Sequence, residues 1–228
     1  MTDGLREVIS QLTSTPPTYF TASTGPASIN DSHDCHTSST AVLSSLLADP
    51  TTLLPSTTSG ILVCCYSEHP LVPLLKDLTP VPVVGIFEAS VSTALLLLPS
   101  VLSKFGIVST GKVWEQLLSD GVERYFGVEK SARFAGVETT GLSAVELHET
   151  DAAEVKEKMI AATRRLVKRG GVGAVLLGCA GMVDMDAWVR EACVLELGEE
   201  EGAKVHVVDG VKVGFAALEA LVKSSSRN

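Results

Sequence analysis

Short apolar runs alternate with longer amphipathic stretches along most of the chain. The apolar runs predict strands, and the stretches between them, with apolar residues at helical spacing, predict helices. Strands that alternate with helices are typical of parallel sheets with crossover helices, so the pattern predicts an α/β fold. The predicted strands are residues 18–22, 61–65, 81–86, 105–109, 174–177 and 205–208, and the predicted helices are residues 37–47, 88–102, 112–120, 151–169 and 211–222.

The helix predicted over residues 151–169 carries end signals at both termini. Asp151 opens it with Glu154 three residues later, as in a capping box, and a pair of glycines follows it. Residues 141–150 and the acidic residues 198–202 lack a helical apolar period. We therefore predict surface loops at these two places.

The two halves of the chain show a similar arrangement of strands and cysteines. In each half an apolar run ends at or just before a cysteine, Cys65 in the first and Cys179 in the second, and a further strand follows. Open α/β sheets bind ligands at the carboxyl ends of their strands. We therefore predict two similar lobes, each a mainly parallel sheet flanked by helices, with the active site in the cleft between them. The predicted first lobe is residues 1–90 and 205–228, and the predicted second lobe is residues 91–204.

The composition is that of an ordinary globular protein with an acidic balance. The 228 residues are 45% apolar and 20% charged, and the net charge is −9. This charge repels phosphate backbones, so nucleic acid is not an expected partner. The longest apolar run, residues 94–98, is far too short to span a membrane. The first residues lack the apolar core of a secretory signal, so we expect a cytoplasmic protein with a small-molecule partner, and self-association into a homo-oligomer stays open.

Five cysteines occur at irregular spacing, without a C-x-x-C pair. An odd number of this kind favours reduced thiols over disulfides or a zinc knuckle. A thiol at a strand end that leads into a helix meets the positive end of that helix. We therefore expect a lowered pKa and thiolate character at Cys65 and Cys179. Cys35, Cys64 and Cys193 are expected to pack as small hydrophobic residues.

Six short motifs resemble, in order and spacing, those of one enzyme family. On these motifs the chain resembles the Asp/Glu/hydantoin racemase superfamily, and most closely its hydantoin and allantoin racemase branch. Residues 64–70 (CCYSEHP) and 178–182 (GCAGM) resemble the two cysteine motifs, 25–29 (GPASI) the substrate loop, 85–89 (GIFEA) and 105–110 (FGIVST) two central segments, and 208–210 (VDG) the closing turn.

This resemblance implies a racemase in which Cys65 and Cys179 move a proton at the carbon acid of a hydantoin-like substrate, a 5-substituted hydantoin or allantoin. One thiolate removes the proton and the thiol on the opposite face returns one, so the centre inverts. The resemblance implies no metal and no organic cofactor. The developing oxyanion is expected to meet backbone N–H groups and hydroxyls. The expected substrate-binding residues are Ser28 and Ile29, Tyr66 and Ala180 through their N–H groups, and Ser109 and Thr110 through their hydroxyls.

The resemblance leaves the reaction and the substrate open. Residues 67–71 depart from the loop that follows the first cysteine in hydantoin racemases. An aspartate or glutamate racemase, a maleate isomerase-type enzyme and a non-catalytic metabolite-binding protein are the alternatives. Family members also begin with a further strand and an Asn-Pro-Asn segment before a helix that resembles residues 1–5. We therefore expect an upstream strand, or another segment, to fill that place.

Two groups of residues have competing interpretations. Ser109 and Thr110 also suit the N-cap of a helix that begins near Lys112. Residues 33–36 (HDCH) offer three types of metal ligand, but a zinc site usually needs a further ligand pair, and Ser32 or Asp34 is better explained as the N-cap of a helix that runs to Leu47.

Overall fold

The computed structural model describes residues 2–13 and 17–225, along which strands alternate with helices. Across these described ranges, every helix is too short or too polar to cross a membrane. The strands are β1 (Ile61–Val63), β2 (Val83–Gly85), β3 (Lys104–Ser109), β4 (Phe134–Thr139), β5 (Val172–Leu177) and β6 (His206–Asp209). The helices are α1 (Thr2–Ser10), α2 (Ser32–Ala48), α3 (Leu71–Leu78), α4 (Ile86–Leu97), α5 (Val113–Phe126), α6 (Glu146–Glu149), α7 (Ala152–Val167), α8 (Asp186–Leu197), α9 (Glu199–Ala203) and α10 (Gly210–Ser225).

The strands form two parallel sheets. β1 pairs with β2, and the other four strands lie in the order β4-β3-β5-β6. Parallel neighbours need crossover connections, which helices supply here. Helix α5 connects β3 to β4, α7 leads into β5, and α8 and α9 connect β5 to β6. The predicted α/β fold, with parallel sheets flanked by helices, is confirmed.

Alternate residues of β3 and β5 pack on opposite faces of the four-stranded sheet. Ile107 and Leu176 belong to a core that includes Phe87 of α4. Val108 and Leu177 belong to a second core, formed with the α7 and α8 helices. Both faces are therefore covered by helices, which explains why these strands read as continuous apolar runs in the sequence.

Several predicted elements are wrong. Residues 18–22 have no regular secondary structure, and in the described part of the chain they pair with no strand. A strand exists only where a neighbour takes up its backbone N–H and C=O groups, and an apolar run alone does not reveal such a neighbour. Residues 141–150 include α6, and residues 198–202 lie mostly in α9. Both helices are too short to display an apolar period.

Residues 205–228, which the prediction assigns to the first lobe, contact both sheets. β6 pairs with β5 and therefore lies in the four-stranded sheet. The following helix, α10, instead packs against α4, β1 and β2. The division of the chain into two lobes remains a prediction.

Candidate active site

Cys65 lies two residues beyond β1, in a tight turn that leads to α3. The Ser67 N–H donates to the Cys65 carbonyl at 3.1 Å, and the His69 N–H donates to the Ser67 carbonyl at 2.8 Å. The Cys65 side chain is half-buried, and its Sγ lies 3.4 Å from Ser67 Oγ. The turn thus holds the thiol at the carboxyl end of the strand.

Cys179 lies two residues beyond β5, in a turn that is tied to β3. The Gly178 N–H donates to the Val108 carbonyl at 2.7 Å. The Ser109 hydroxyl donates to the Gly178 carbonyl, also at 2.7 Å. A short 3₁₀ turn follows, and its Gly181 N–H donates to Cys179 Sγ at 3.4 Å. These bonds fix the second thiol at the end of its own strand.

Residue 178 has to be glycine, because β3 passes too close for a side chain. A Cβ at this position would lie 2.7 Å from Ile107 Cγ2, 2.8 Å from the Val108 carbonyl oxygen and 2.9 Å from Ser109 Cβ. The backbone oxygen cannot move aside without disturbing the pairing of β3 with β5. Close packing against β3 therefore explains the glycine that precedes Cys179 in the motif.

Gly178→Ala is expected to lower the free energy of unfolding by about 1–3 kcal/mol, because the added methyl overpacks a buried contact. Gly111→Ala is the matched control, since a Cβ there would meet no heavy atom within 4 Å. Its stability should change by about 0.5 kcal/mol or less. Urea unfolding measures both variants, and equal stability of the two would contradict the close approach at residue 178.

Cys35, which the sequence predicts to be a core residue, lies beside Cys65. It stands in the first turn of α2, whose start is capped by the Asp31 side chain. The Cys35 side chain is buried, as predicted, but its Sγ lies 3.6 Å from Ser67 Oγ. One hydroxyl therefore contacts the sulfur atoms of both cysteines.

The expected lowering of the pKa is wrong for both predicted catalytic cysteines. Burial raises the pKa of Cys179, and the Gly181 N–H offsets this only in part. The hydrogen bond with Cys35 and burial raise the pKa of Cys65. The same hydrogen bond lowers the pKa of Cys35 to about 7. The two thiols of the Cys35–Cys65 pair therefore share one negative charge near neutral pH, and loss of the second proton is opposed.

The two predicted catalytic thiols follow the ends of two different strands. Besides the Cys35 hydrogen bond and burial, a charge on Cys179 contributes to the raised pKa of Cys65. The residues that follow them, Tyr66 and Ala180, have N–H groups that find no hydrogen-bond partner in the described part of the chain. A thiol and an available N–H donor therefore lie at the end of each of the two strands, β1 and β5.

The two predicted hydroxyls have different surroundings. The Ser109 hydroxyl is fully buried and donates to the Gly178 carbonyl. It therefore stabilises the Cys179 turn. At Thr110 the backbone carbonyl accepts the Gly141 N–H at 3.0 Å. Within the described ranges the Thr110 hydroxyl makes no hydrogen bond of its own, so it can donate to a ligand.

The side chains of Tyr66 and Ile29 pack into the core. The Tyr66 hydroxyl lies 2.7 Å from Ser90 Oγ, and its ring meets Phe87 edge to face with the centroids 5.7 Å apart. Ile29 is partly buried against the same core. At Tyr66 the group that stays available to a substrate is therefore the backbone N–H.

Ser28 and His148 line a pocket of about 220 Å³ formed by the loop before α2 and the region of α6. His148 also borders the Cys179 turn, since a Cβ on Gly181 would lie 3.1 Å from His148 Nε2 and 3.6 Å from Cys179 Sγ. The sequence alone does not point to this histidine, because it is a single titratable residue in a predicted surface loop. His148 is an additional candidate for substrate binding.

Among the described residues, the ligands of residues 33–36 form no metal site of their own, and the N-cap of α2 is Asp31 instead of the expected Ser32 or Asp34. The Asp34 carboxylate accepts the Asn30 N–H at 2.9 Å, next to the start of α2. Cys35 faces Cys65 and His69, and one ligand atom of each lies within 4.8 Å of the others. Burial lowers the pKa of His69 to about 4, so its imidazole is neutral at pH 7.

The structure and the sequence predict different orders of thiol reactivity. From the sequence, Cys65 and Cys179 are expected to react first. Iodoacetamide at pH 7 should label the Cys35–Cys65 pair about tenfold faster than an unperturbed thiol, because thiolate is the nucleophile. Cys193 should be slow, since burial raises its pKa to about 11. Mass spectrometry of the labelled peptides measures the order, and first labelling of Cys193 or Cys179 would contradict it.

Comparisons with known proteins identify similar sequences and structures. The sequence model of the family described as Asp/Glu/Hydantoin racemase matches residues 1–218. An uncharacterized protein of Schizosaccharomyces pombe is 36% identical over 228 residues, which covers 98% of this chain and 87% of that protein. A hydantoin racemase of Pseudomonas sp. (strain NS671) is 28% identical over 198 residues, which covers 87% of this chain and 70% of that protein.

Among solved structures, the allantoin racemase from Pseudomonas fluorescens matches with a TM-score of 0.75 at 26% identity. The match covers 98% of this chain and 87% of that chain. Together these comparisons confirm the resemblance drawn from the six motifs, and with it the expected class of enzyme, an isomerase.

Proposed function

The chain belongs to the Asp/Glu/hydantoin racemase family, and on this premise we propose that it is a cofactor-independent racemase of a hydantoin-like carbon acid, with Cys65 and Cys179 as its two bases. One observation carries the proposal. Two thiols lie just beyond the carboxyl ends of β1 and β5, each followed by an available N–H, and a charge on Cys179 contributes to the raised pKa of Cys65. This arrangement suits proton removal from one face of a flat intermediate and proton return on the other.

The reaction begins with one cysteine as thiolate and the other as thiol. The thiolate takes the proton from the carbon between a ring carbonyl and a ring nitrogen, and the electron pair of the C–H bond moves into an enolate. The opposite thiol then gives its proton to the same carbon. The configuration is inverted, and the two cysteines have exchanged protonation states, so the reverse direction begins from that form.

The negative charge that develops on the carbonyl oxygen needs hydrogen-bond donors. The N–H groups of Tyr66 and Ala180 supply them from fixed backbone positions beside the two thiols, together with the Thr110 hydroxyl. Donors that are already oriented stabilise an oxyanion without reorganisation, which is often the largest contribution to a rate enhancement. Ser109 contributes indirectly by holding Gly178.

The charges near the thiols favour a neutral ring over an amino acid. The carboxylates of Asp31 and Asp34 act on Cys35 and raise its pKa, against the stronger effect of the Cys65 hydrogen bond. An incoming amino acid would bring another carboxylate toward this negative region, and like charges repel. A hydantoin or allantoin ring brings amide N–H and C=O groups that hydrogen bonds alone can satisfy. The hydantoin and allantoin racemases among the similar proteins support the same substrate class.

A panel of single enantiomers tests the proposal. The purified protein is incubated with L- and D-forms of an alkyl-hydantoin, an aryl-hydantoin, allantoin, aspartate and glutamate, and with maleate, and chiral chromatography follows the products. We expect loss of optical purity with one or more of the ring substrates and no change with the amino acids. Turnover of aspartate, glutamate or maleate alone would assign another reaction of the family. Ligand binding without turnover of any compound would instead indicate a metabolite-binding protein.

A further inference from the structure

Three metal-ligating side chains meet at the turn after β1. One ligand atom each from Cys35, Cys65 and His69 lies within 4.8 Å of the other two. Two sulfurs and an imidazole nitrogen are a donor set that Zn²⁺ uses in proteins, with a fourth position left to water or a ligand. The same donors disfavour Mg²⁺ and Ca²⁺, which take oxygen ligands.

The His69 ring gives an independent indication. Its side chain is 2% exposed, and Nε2 is buried without a hydrogen-bond partner among the described residues. A buried ring nitrogen of this kind normally has a partner, and a metal ion would provide one. The other nitrogen, Nδ1, accepts the Leu71 N–H at 3.3 Å. For Nε2 to bind a metal, the ring proton has to move from Nε2 to Nδ1, which frees the Nε2 lone pair. The long hydrogen bond from Leu71 is then lost.

We propose that Cys35, Cys65 and His69 form a binding site for a thiophilic divalent cation such as Zn²⁺. Each coordinating thiol releases its proton to solvent as its sulfur binds the metal. The Ser67 hydroxyl, 3.4 Å from Cys65 Sγ and 3.6 Å from Cys35 Sγ, donates to a coordinated thiolate and orients it. Because Cys65 then holds the metal, it cannot carry a proton, so occupancy of the site and racemisation exclude each other.

The three residues come from separate parts of the chain, unlike the ligands that residues 33–36 offer within one short segment. Cys35 lies on α2, and Cys65 and His69 lie in the turn before α3. Binding therefore depends on the packing of α2 against this turn. Unfolded protein should lose the three-ligand site.

Cobalt spectroscopy tests the site without use of the enzymatic activity. The reduced full chain is titrated with Co²⁺, whose bonds to thiolates give a sulfur-to-metal charge-transfer band, and Zn²⁺ is added to displace it. We expect one equivalent of Co²⁺ with this band. Cys35→Ser and His69→Gln should each weaken binding by about 100-fold or more, since even residues that only orient a ligand cost about 10- to 100-fold. The matched controls Cys193→Ala and His33→Gln should bind as the unmodified chain does.

Near-ultraviolet circular dichroism shows which variants keep the native fold. Cys35→Ser and His69→Gln each test metal binding at this site independently of the other. A charge-transfer band missing from the unmodified chain would overturn the proposal. So would a band that stays unchanged in a folded Cys35→Ser or His69→Gln variant. A loss of equal size in the two controls would show adventitious binding elsewhere and would also overturn it.

Discussion

Replacement of Cys65 or Cys179 by serine is expected to slow racemisation by about 1,000-fold, within the range of about 10²- to 10⁴-fold that a positioned acid or base contributes. A serine hydroxyl is nearly the same size as a thiol, but it is a far weaker acid and does not become an anion near pH 7. Each variant should therefore keep the fold and lose one of the two proton carriers. Polarimetry with a single enantiomer measures the rate.

Cys64→Ala is the matched control for this experiment. Cys64 is the immediate neighbour of Cys65, but it packs against the core, and burial together with the nearby charge of Asp209 raises its pKa to about 11. Its removal should leave turnover within about twofold, since it is a buried neutral thiol with a packing role. Undiminished racemisation by Cys65→Ser or Cys179→Ser would disprove the two-base assignment.

The rate should follow a bell-shaped curve as the pH is varied. The competent form has one thiolate in the Cys35–Cys65 pair and a protonated Cys179. Because the hydrogen bond within the pair lowers the pKa of Cys35 to about 7, the pair becomes neutral as the pH falls through this value, and kcat/KM should drop about tenfold per pH unit below it. Burial raises the pKa of Cys179, so at alkaline pH its ionisation removes the proton that has to be returned.

Cys35→Ala should move the acidic limb of this curve to higher pH. Without Cys35 no second thiol shares the charge, so the anion forms only when Cys65 itself ionises, and burial raises the pKa of that thiol. A variant that changes only the packing would lower the rate by the same factor at every pH. Measurement of kcat/KM from pH 5 to 9 separates the two cases, and an acidic limb at the same position in both proteins would contradict the shared charge.

Cys65 and Cys179 could be placed from the sequence because parallel sheets gather their functional groups at the carboxyl ends of strands. Both cysteines follow apolar runs, and both runs are strands, β1 and β5. The sequence also shows Gly178 next to Cys179. What the sequence does not show is that this glycine is required by Val108 and Ser109 of a neighbouring strand.

The sequence predicts only a core position for Cys35, because its place beside Cys65 depends on a contact that no local pattern encodes. It lies 30 residues before Cys65, in the first turn of α2, and only the packing of that helix brings the two sulfurs together. From the sequence alone, a cysteine near a helix start is equally consistent with a small buried side chain. His69 and His148 also depend on tertiary contacts, since His69 lies near Cys35 of α2 and His148 lies near the Cys179 turn.

The direction of the thiol pKa shifts does not follow from the sequence, because burial opposes the effect of a helix N-terminus. The sequence suggested that each thiol meets a helix N-terminus, an effect that fades within about one turn. Helix α3 begins only at Leu71, and the element after Cys179 is a short 3₁₀ turn. Burial and the Cys35–Cys65 hydrogen bond therefore dominate at Cys65, and burial dominates at Cys179.

Exchange of the substrate's carbon-bound hydrogen with solvent deuterium tests the two-base mechanism most directly. Cys65→Ser and Cys179→Ser are each incubated in D₂O with one pure enantiomer of a turned-over hydantoin, and proton NMR follows the loss of the signal. We expect each variant to exchange the proton of one enantiomer without racemising it, and the two variants to prefer opposite enantiomers. Exchange of the same enantiomer by both variants, or of both enantiomers by either one, would contradict the assignment of Cys65 and Cys179 to opposite faces of the substrate.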